Sequence, residues 1–429
     1  MPALRVFYLL GVTTLLGVVG VLVPWAGWTA LGLDALLLAA VWIDWRRARA
    51  VRLDAERHWP RLLTQGTPAT LRLEIEGPEV ATTVRLRETL HPGLTSTPAR
   101  AELRLLRRAA WEIPLEPARR GEHSSGPLMA RVLGPWGLAW HQRELVGAEP
   151  RKVYPQVRWD GKVGQLLLLA HRRALGQHPQ RHRGLGTEPY ALREYLAGDP
   201  PNKIHWKASA RHGRLVSRED TWERGARLVV LLDCGRGMSG EDGERAKLDH
   251  ALAAALALAR VAAARGDRVT ITAFSDRIER TVRLTGGVRR LQTAYAQLYD
   301  LQARLVEPAF DLAADTAVAL ESRRSTVVLF TSVVDLAAAD WLRRAVLKLE
   351  RRHRPVLLNL QDPELLALAD SAPATPRDAF AQAAALDIGL ANRDLATRLR
   401  RTGVRVVNAP ADRLALEALE AYLSIFGAG

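Results

Sequence analysis

Residues Leu228 to Met238 read LVVLLDCGRGM: an apolar run ends on an acid, breaks into glycine, and gives way to a long alanine-rich stretch. A continuous run of this length predicts a strand buried on both faces, and such strands belong to parallel sheets covered by helices. Asp233 then falls at the carboxyl edge of the strand. Helix amino termini and strand-end loops converge at that edge, which is where open α/β sheets bind their ligands. What the chain does is therefore expected to be decided around Asp233.

The alternation continues to the end of the chain. Strand-like runs at 228–232, 268–274, 326–330, 355–360 and 404–407 are separated by helical patterns near 245–265, 287–301, 337–352, 378–400 and 411–423. Strand, helix, strand repetition predicts an α/β domain over 226–429, built on a doubly wound, mostly parallel sheet. In its first helix Leu248, Ala251, Leu252, Ala255, Leu256 and Ala259 form one stripe, which is the packing face and not a site.

The amino terminus has a different character. Residues 6–23 carry no charge, and after Pro24 a second apolar stretch runs from Trp25 to Ile43 with only Asp34 inside it. Each approaches the roughly 20 residues that span a bilayer. Trp25 and Trp28 lie at the joint and Trp42 and Trp45 at the far end, as interfacial aromatic belts require. Residues 1–48 therefore read as a transmembrane helical hairpin. A cleaved signal peptide is the rival reading, but the second span with its arginine stop would still hold the chain in the membrane. Asp34 is taken to lie near the joint and reach the outer interface, and is given no role. Arg46, Arg47, Arg49 and Arg52 follow the second span, so the positive-inside rule places the soluble part in the cytoplasm.

Residues 49–154 change to a period of two. Leu71, Leu73 and Ile75 alternate with Arg72, Glu74 and Glu76; Leu86, Leu103, Leu105, Trp111, Ile113 and Leu115 repeat the pattern, separated by turn pairs such as Gly77-Pro78 and Pro92-Gly93. Short alternating strands predict a β-rich, sandwich-like domain, and Gly134 to Leu138 a tight connection packed by Trp136. Residues 155–225 read as a basic linker and a further segment. His178 and His182 are four apart, but Pro179 and Gly184 argue against the helix that would let them share a metal.

The 429 residues, about half of them apolar, suffice for more than one core, and the formal net charge is +15. Cys234 is the only cysteine, so no intrachain disulfide exists and a reducing compartment fits. Nucleic acid is not an expected partner, because the arginines are dispersed and no aromatic platform is interleaved with them.

Three chemistries compete at Asp233. Gly235 to Gly240 formally satisfies G-x-G-x-x-G, but Asp233 would set a negative charge beside a dinucleotide's phosphates, and the next strand-end acid, Asp276, comes well beyond the usual spacing of roughly 20 residues. Ser239 lies in a strand-to-helix turn like a nucleophile elbow, yet Glu241 stands where the second glycine belongs and no histidine is obviously near. The third reading is a hard-cation site of the von Willebrand factor A type, in which Asp-x-Ser-x-Ser supplies oxygens to Mg²⁺ or Mn²⁺. Here Gly235 and Gly237 replace both serines, Ser332 stands where a second aspartate is expected, and Asp335 is left to reach in. The site Asp233, Ser332, Asp335 is thus eroded, and weak cation binding or none is expected.

Arg193-Glu194-Tyr195, Gly198-Asp199, Ile204-His205-Trp206-Lys207, Ser209-Ala210-Arg211, Gly213-Arg214-Leu215 and Arg218-Glu219 together resemble the signature of the bacterial "domain of unknown function 58" family. The order of parts agrees: a membrane hairpin, a β-rich segment with Arg120-Gly121 and Gly137-Leu138, the signature, a strand ending in Asp233, and Ala273-Phe274-Ser275-Asp276. His205 departs from the signature by replacing an aspartate. The resemblance implies a von Willebrand factor A-like α/β domain and a MoxR-type AAA+ ATPase as partner. It also implies an adaptor role. On that reading Arg193, Asp199, Trp206, Lys207 and Arg211 are the partner-binding residues, Trp206 being either an interface anchor or packing for the segment. No Walker A loop with Lys-Ser or Lys-Thr occurs, so the chain is not itself expected to hydrolyse ATP. The expected function is a membrane-anchored cytoplasmic scaffold; an enzyme using the Gly235–Gly240 loop or Ser239 is the alternative.

Overall fold

The computed structural model describes residues 1–19, 21–94, 99–157, 161, 164–165, 189–195, 204–220, 226–243, 245–284, 290–333 and 336–425. They fall into two compact units, Met1–Gln156 and Val157–Gly429.

The first unit begins with two helices, α1 (Leu4–Val19) and α2 (Pro24–Ala50). Pro24 opens α2 at a position where its missing N–H costs nothing. Trp25–Ala50 is long and apolar enough to cross a membrane, while Leu4–Val19 is apolar but shorter, at 16 residues. The two pack as a hairpin. Gly17 faces Ala30, and Thr13 Oγ1 donates to Asp34 Oδ1 at 2.6 Å. Asp34 thus differs from its expected place: it lies about 15 Å along α2 at ~1.5 Å per residue, and it turns to the other helix rather than to the joint.

At the foot of α2, Asp44 is fully buried and its carboxylate accepts three backbone N–H groups, from Trp136 (2.8 Å), Leu138 (2.8 Å) and Ala139 (2.9 Å). Gly134 is required there, because a Cβ would meet the Asp44 carboxyl carbon at 2.3 Å. The loop is held from other sides too. The Ala3 N–H donates to Leu138 O, the amino terminus and Trp140 exchange hydrogen bonds, Arg47 lies 4.7 Å over the Trp136 ring, and Trp45 meets His141 edge-on. The connection read from Gly134–Leu138 is therefore a socket for the helix end.

The β-rich part contains ten strands: β1 (Asp54–His58), β2 (Leu63–Thr64), β3 (Ala69–Glu76), β4 (Thr82–Glu88), β5 (Ala99–Leu105), β6 (Arg108–Leu115), β7 (Gly121–Ser125), β8 (Leu128–Leu133), β9 (Trp140–Val146) and β10 (Glu149–Tyr154). They form sheets in the orders β1-β3-β6, β2-β10-β7 and β5-β4-β8-β9, antiparallel except for β2 with β10. Period-two alternation works as expected: Leu71, Leu73 and Ile75 are buried between exposed Arg72, Glu74 and Glu76. They share one core with Ile113 and Leu115 and with Val84, Leu86, Leu105 and Leu128 of the four-stranded sheet.

In the second unit the signature segment supplies a two-stranded antiparallel ribbon, β11 (Pro189–Glu194) with β12 (Val216–Asp220), joined through α3 (Trp206–His212). The main sheet uses β13 (Arg227–Asp233), β16 (Arg268–Phe274), β17 (Ile278–Leu284), β18 (Thr326–Thr331), β19 (Arg354–Leu360) and β20 (Arg405–Ala409); a small ribbon of β14 (Glu241–Asp242) and β15 (Arg245–Ala246) precedes the first covering helix. The order is β17-β16-β13-β18-β19-β20, parallel except for β17. Counted along the chain this is 3-2-1-4-5-6 with an antiparallel edge, so the sheet is doubly wound and mostly parallel, and β13 is central.

Helices α4 (Lys247–Ala264), α5 (Leu291–Leu298) and α10 (Leu414–Ile425) cover the face carrying Leu228, Val230 and Leu232. The opposite face, with Val229 and Leu231, is covered by α6 (Phe310–Leu320), α7 (Leu336–Glu350) and α9 (Pro376–Arg401). A short α8 (Pro363–Asp370) follows β19. The expected core stripe of α4 is buried throughout. The edge strand β17 went unseen in the sequence because only Val282 and Leu284 are buried, among charged neighbours.

Replacing Asp44 by alanine leaves three N–H groups without their acceptor, and for the buried one, that of Ala139, the loss is worth about 1–3 kcal/mol. The expected outcome for Asp44→Ala in detergent-solubilised full-length protein is a lower melting temperature and new proteolytic cleavage within 134–140, and unchanged cleavage would refute the socket.

Candidate functional site

Asp233 ends β13 in the middle of the sheet and is 1% exposed. Both of its oxygens are used: Oδ2 accepts from Thr331 Oγ1 at 2.6 Å and Oδ1 from the Gly235 N–H at 2.7 Å. Burial pushes its pKa up to about 6, the two hydrogen bonds pull it down, and Glu307 pushes it up again. The acid is therefore ionised at neutral pH but is held there by donors rather than by solvent.

The loop after β13 is stitched to a second loop. Arg304 N–H donates to Cys234 O and Arg236 N–H to Val306 O, so residues 304–306 run alongside 234–236. A Cβ on Gly235 would meet Pro308 Cδ at 2.9 Å and Val306 O at 3.0 Å, which reserves the position for glycine. The Arg236 guanidinium pairs with Glu307 at 2.6 Å. Beside it Arg304 Nη1 contacts Asp276 (2.5 Å), Glu279 (3.1 Å) and Ser275 (3.2 Å). Across the edge Lys247, 4% exposed, pairs with Asp362 at 2.6 Å.

This donor set does not suit a hard divalent cation, which takes about six or more oxygens. Among the described residues only Thr331 joins Asp233, and it donates its proton to the carboxylate. Ser332 faces elsewhere, its hydroxyl donating to Leu360 O at 3.1 Å. Asp335 lies outside the described residues. Gly235 and Gly237 offer no side-chain oxygen, and the Glu307 carboxylate already carries Arg236. The sequence singled out Ser332 and passed over its neighbour Thr331, although a threonine ending a buried strand beside the central one was a usable signal.

The glycine loop folds unlike a dinucleotide site. Arg236–Met238 is a 3₁₀ turn, the β14–β15 ribbon follows, and α4 begins only at Lys247, whose N–H is spent on the Gly240 carbonyl at 2.8 Å. Ser239 Oγ donates to the Arg236 carbonyl at 2.6 Å.

In the signature segment, α3 is fixed at both ends. His205 Nδ1 accepts from the Ala208 N–H at 3.1 Å as the N-cap, and Gly213 closes the helix in the left-handed region. Ser209 Oγ accepts from the Val216 N–H at 2.9 Å, tying the helix to β12. Trp206 is 68% exposed, and Lys207 and Arg211, four residues apart on one side of the helix, are exposed as well. Trp206 does not pack the segment down. Arg193 lies in β11, with its side chain outside what is described, and Asp199 lies outside the described residues altogether.

The strand order with its antiparallel edge, and an aspartate ending the central strand, define a von Willebrand factor A-like α/β domain. The family described as Protein of unknown function DUF58 matches residues 191–406, half of the chain, and the chain belongs to it. No curated protein matches. Among solved structures the chain is similar to the SpRpn10 VWA domain (13% identity, TM-score 0.28, 48% of this chain and 97% of that one). It is also similar to the CARDB domain of a Pyrococcus furiosus protein in complex with di-metal ions (12%, 0.19, 24% and 88%) and to proximal thread matrix protein 1 from the mussel byssus (10%, 0.25, 47% and 46%).

Asp233 makes a pH prediction whose sign is fixed. Its folded pKa of about 6 exceeds the ordinary 3.8, so the folded state binds a proton that the unfolded state releases, and stability falls as pH rises through that window. Relative to Asp233→Asn, the native chain is expected to lose roughly 3 kcal/mol between pH 4 and 6, read from denaturant melts; parallel pH profiles would contradict this. Gly235→Ser restores a motif serine but drives its Cβ into Pro308 and Val306 O. The expected result is destabilisation by about 1–3 kcal/mol with no Mn²⁺-induced rise in melting temperature.

Proposed function

We propose that the chain is a membrane-anchored cytoplasmic scaffold that binds a protein partner, a MoxR-type AAA+ ATPase, through α3 and the Asp233 edge of the sheet. The observation that carries the reading is Trp206: a large aromatic ring, 68% exposed, on a short helix pinned at both ends and flanked by exposed Lys207 and Arg211. Tryptophan and arginine dominate binding hot spots, and a pinned helix loses little freedom when it docks. The ATPase is the partner that the family resemblance implies.

At the sheet edge, a partner would meet fixed ion pairs, Arg236 with Glu307 and Arg304 with Asp276, rather than a shared cation. Recognition then depends on charge complementarity and weakens with salt. The bacterial inner membrane is the proposed location, with Arg46, Arg47 and Arg49 of the last turns of α2, and Arg52 beyond it, marking the cytoplasmic side.

Affinity capture of the tagged full-length protein from native membranes tests this reading. The native chain is expected to recover an AAA+ ATPase, and Trp206→Ala to lower that recovery about tenfold, a loss of ~1.4 kcal/mol. Undiminished recovery removes α3 from the interface. Hydrolytic turnover lost in Ser239→Ala would replace the scaffold reading with an enzymatic one.

A further inference from the structure

The amino edge of the main sheet, opposite Asp233, is strongly basic. The turns entering β18, β19 and β20 carry Arg323-Arg324, Arg351-Arg352-His353-Arg354 and Arg405. Between them lies a pocket of about 360 Å³ lined by Arg324, Glu350, His353, Arg354, Arg405 and Ile425, among others.

The pleat explains why these arginines converge. Thr326 pairs with Arg354 and Val356 with Arg405, and paired residues of a parallel sheet project to the same face. Arg354 and Val356 are two apart and share that face, and Arg324 precedes Thr326 by two. The turn before β18 and the first residues of β19 and β20 thus present guanidiniums on one side, where Ile425 ends α10. Arg324 and Arg354 have no ion-pair partner among the described residues, and Arg405 Nη1 donates to Ser424 Oγ. With Glu350 the only acid in the lining, the pocket holds an excess of positive charge.

His353 adds an independent observation. The residue is 1% exposed, its Nδ1 accepts from the Ser325 N–H at 3.3 Å, and its Nε2 has no hydrogen-bond partner. Burial lowers its pKa, which Glu321 opposes and Arg352 and Arg324 reinforce, so the ring is neutral. With Nδ1 accepting, the proton sits on Nε2, and a buried N–H beside the pocket lacks an acceptor. Buried donors are rarely left so, and the missing partner must be rich in acceptor oxygens to face the arginines as well.

We propose that this pocket binds a phosphate group, gripped by Arg324, Arg354 and Arg405 with the His353 Nε2–H as a further donor. Planar guanidiniums match phosphate oxygens two at a time, and three of them against Glu350 suit a dianion. The phosphate comes either from a soluble phosphorylated compound or from a monoester headgroup of the bilayer to which the chain is tethered. The pocket stands apart from the Asp233 edge and from α3, so its fate is independent of the scaffold reading.

The test uses full-length protein in phosphatidylcholine nanodiscs, with the melting temperature of the α/β unit as readout. In one arm inorganic pyrophosphate is titrated in; in the other phosphatidic acid is built into the disc and no free phosphate is added. A saturable rise in the first arm, weakened at least tenfold in Arg354→Gln/Arg405→Gln, supports the proposal with a soluble phosphate as ligand. A rise in the second arm alone, lost in the same variant, supports it with a lipid headgroup. The variant's circular dichroism and unliganded melting temperature establish that it folds. No rise in either arm, or a rise that the folded variant retains, overturns the proposal.

Discussion

A buried carboxylate must be satisfied or the fold pays for it, and Asp44 determines how the first unit is put together. Its two oxygens take three backbone N–H groups from one loop of the β-rich part. To bring them in, the loop needs Gly134 where any side chain would collide, Gly137 in the left-handed region, and the first residues of the chain laid against it. The helical hairpin and the β-rich part are thereby fastened through hydrogen bonds, and the large apolar side chains of both helices stay exposed.

The same chemistry recurs at Asp233 with a different purpose. Here Thr331 and the Gly235 N–H occupy its oxygens, and Arg236 with Glu307 supplies paired charges next to it. A cation would compete with donors already in place. Among the described residues the charges at this edge are therefore fixed by protein groups, Arg236 by Glu307 and Arg304 by Asp276.

Much of this was legible because it is local. The apolar run into Asp233, the stripe on α4 and the alternation in β3 each record burial in a few consecutive residues, and the mostly parallel sheet follows from helices separating its strands. The signature segment was readable as a family mark, and His205 can cap its helix because an imidazole nitrogen accepts an N–H as a carboxylate does. Partnerships across the chain were not legible. Asp34 meets Thr13, Asp44 meets residues some 90 positions away, and Arg236 meets Glu307 only because two loops run side by side. Nothing in the spacing of single residues encodes those meetings. The edge strand β17 escaped for a different reason, since a strand covered on one side and charged on the other resembles a surface loop.

Gly235 has a consequence for any attempt to place a cation at this edge. Pro308 Cδ lies 2.9 Å and Val306 O 3.0 Å from where its Cβ would stand, inside the volume that a serine side chain would need. A metal-dependent grip would take a retreat of that loop together with several new oxygens, so one substitution at the glycine does not supply it. The two loops interlock, and the edge they form can be re-engineered only as a unit.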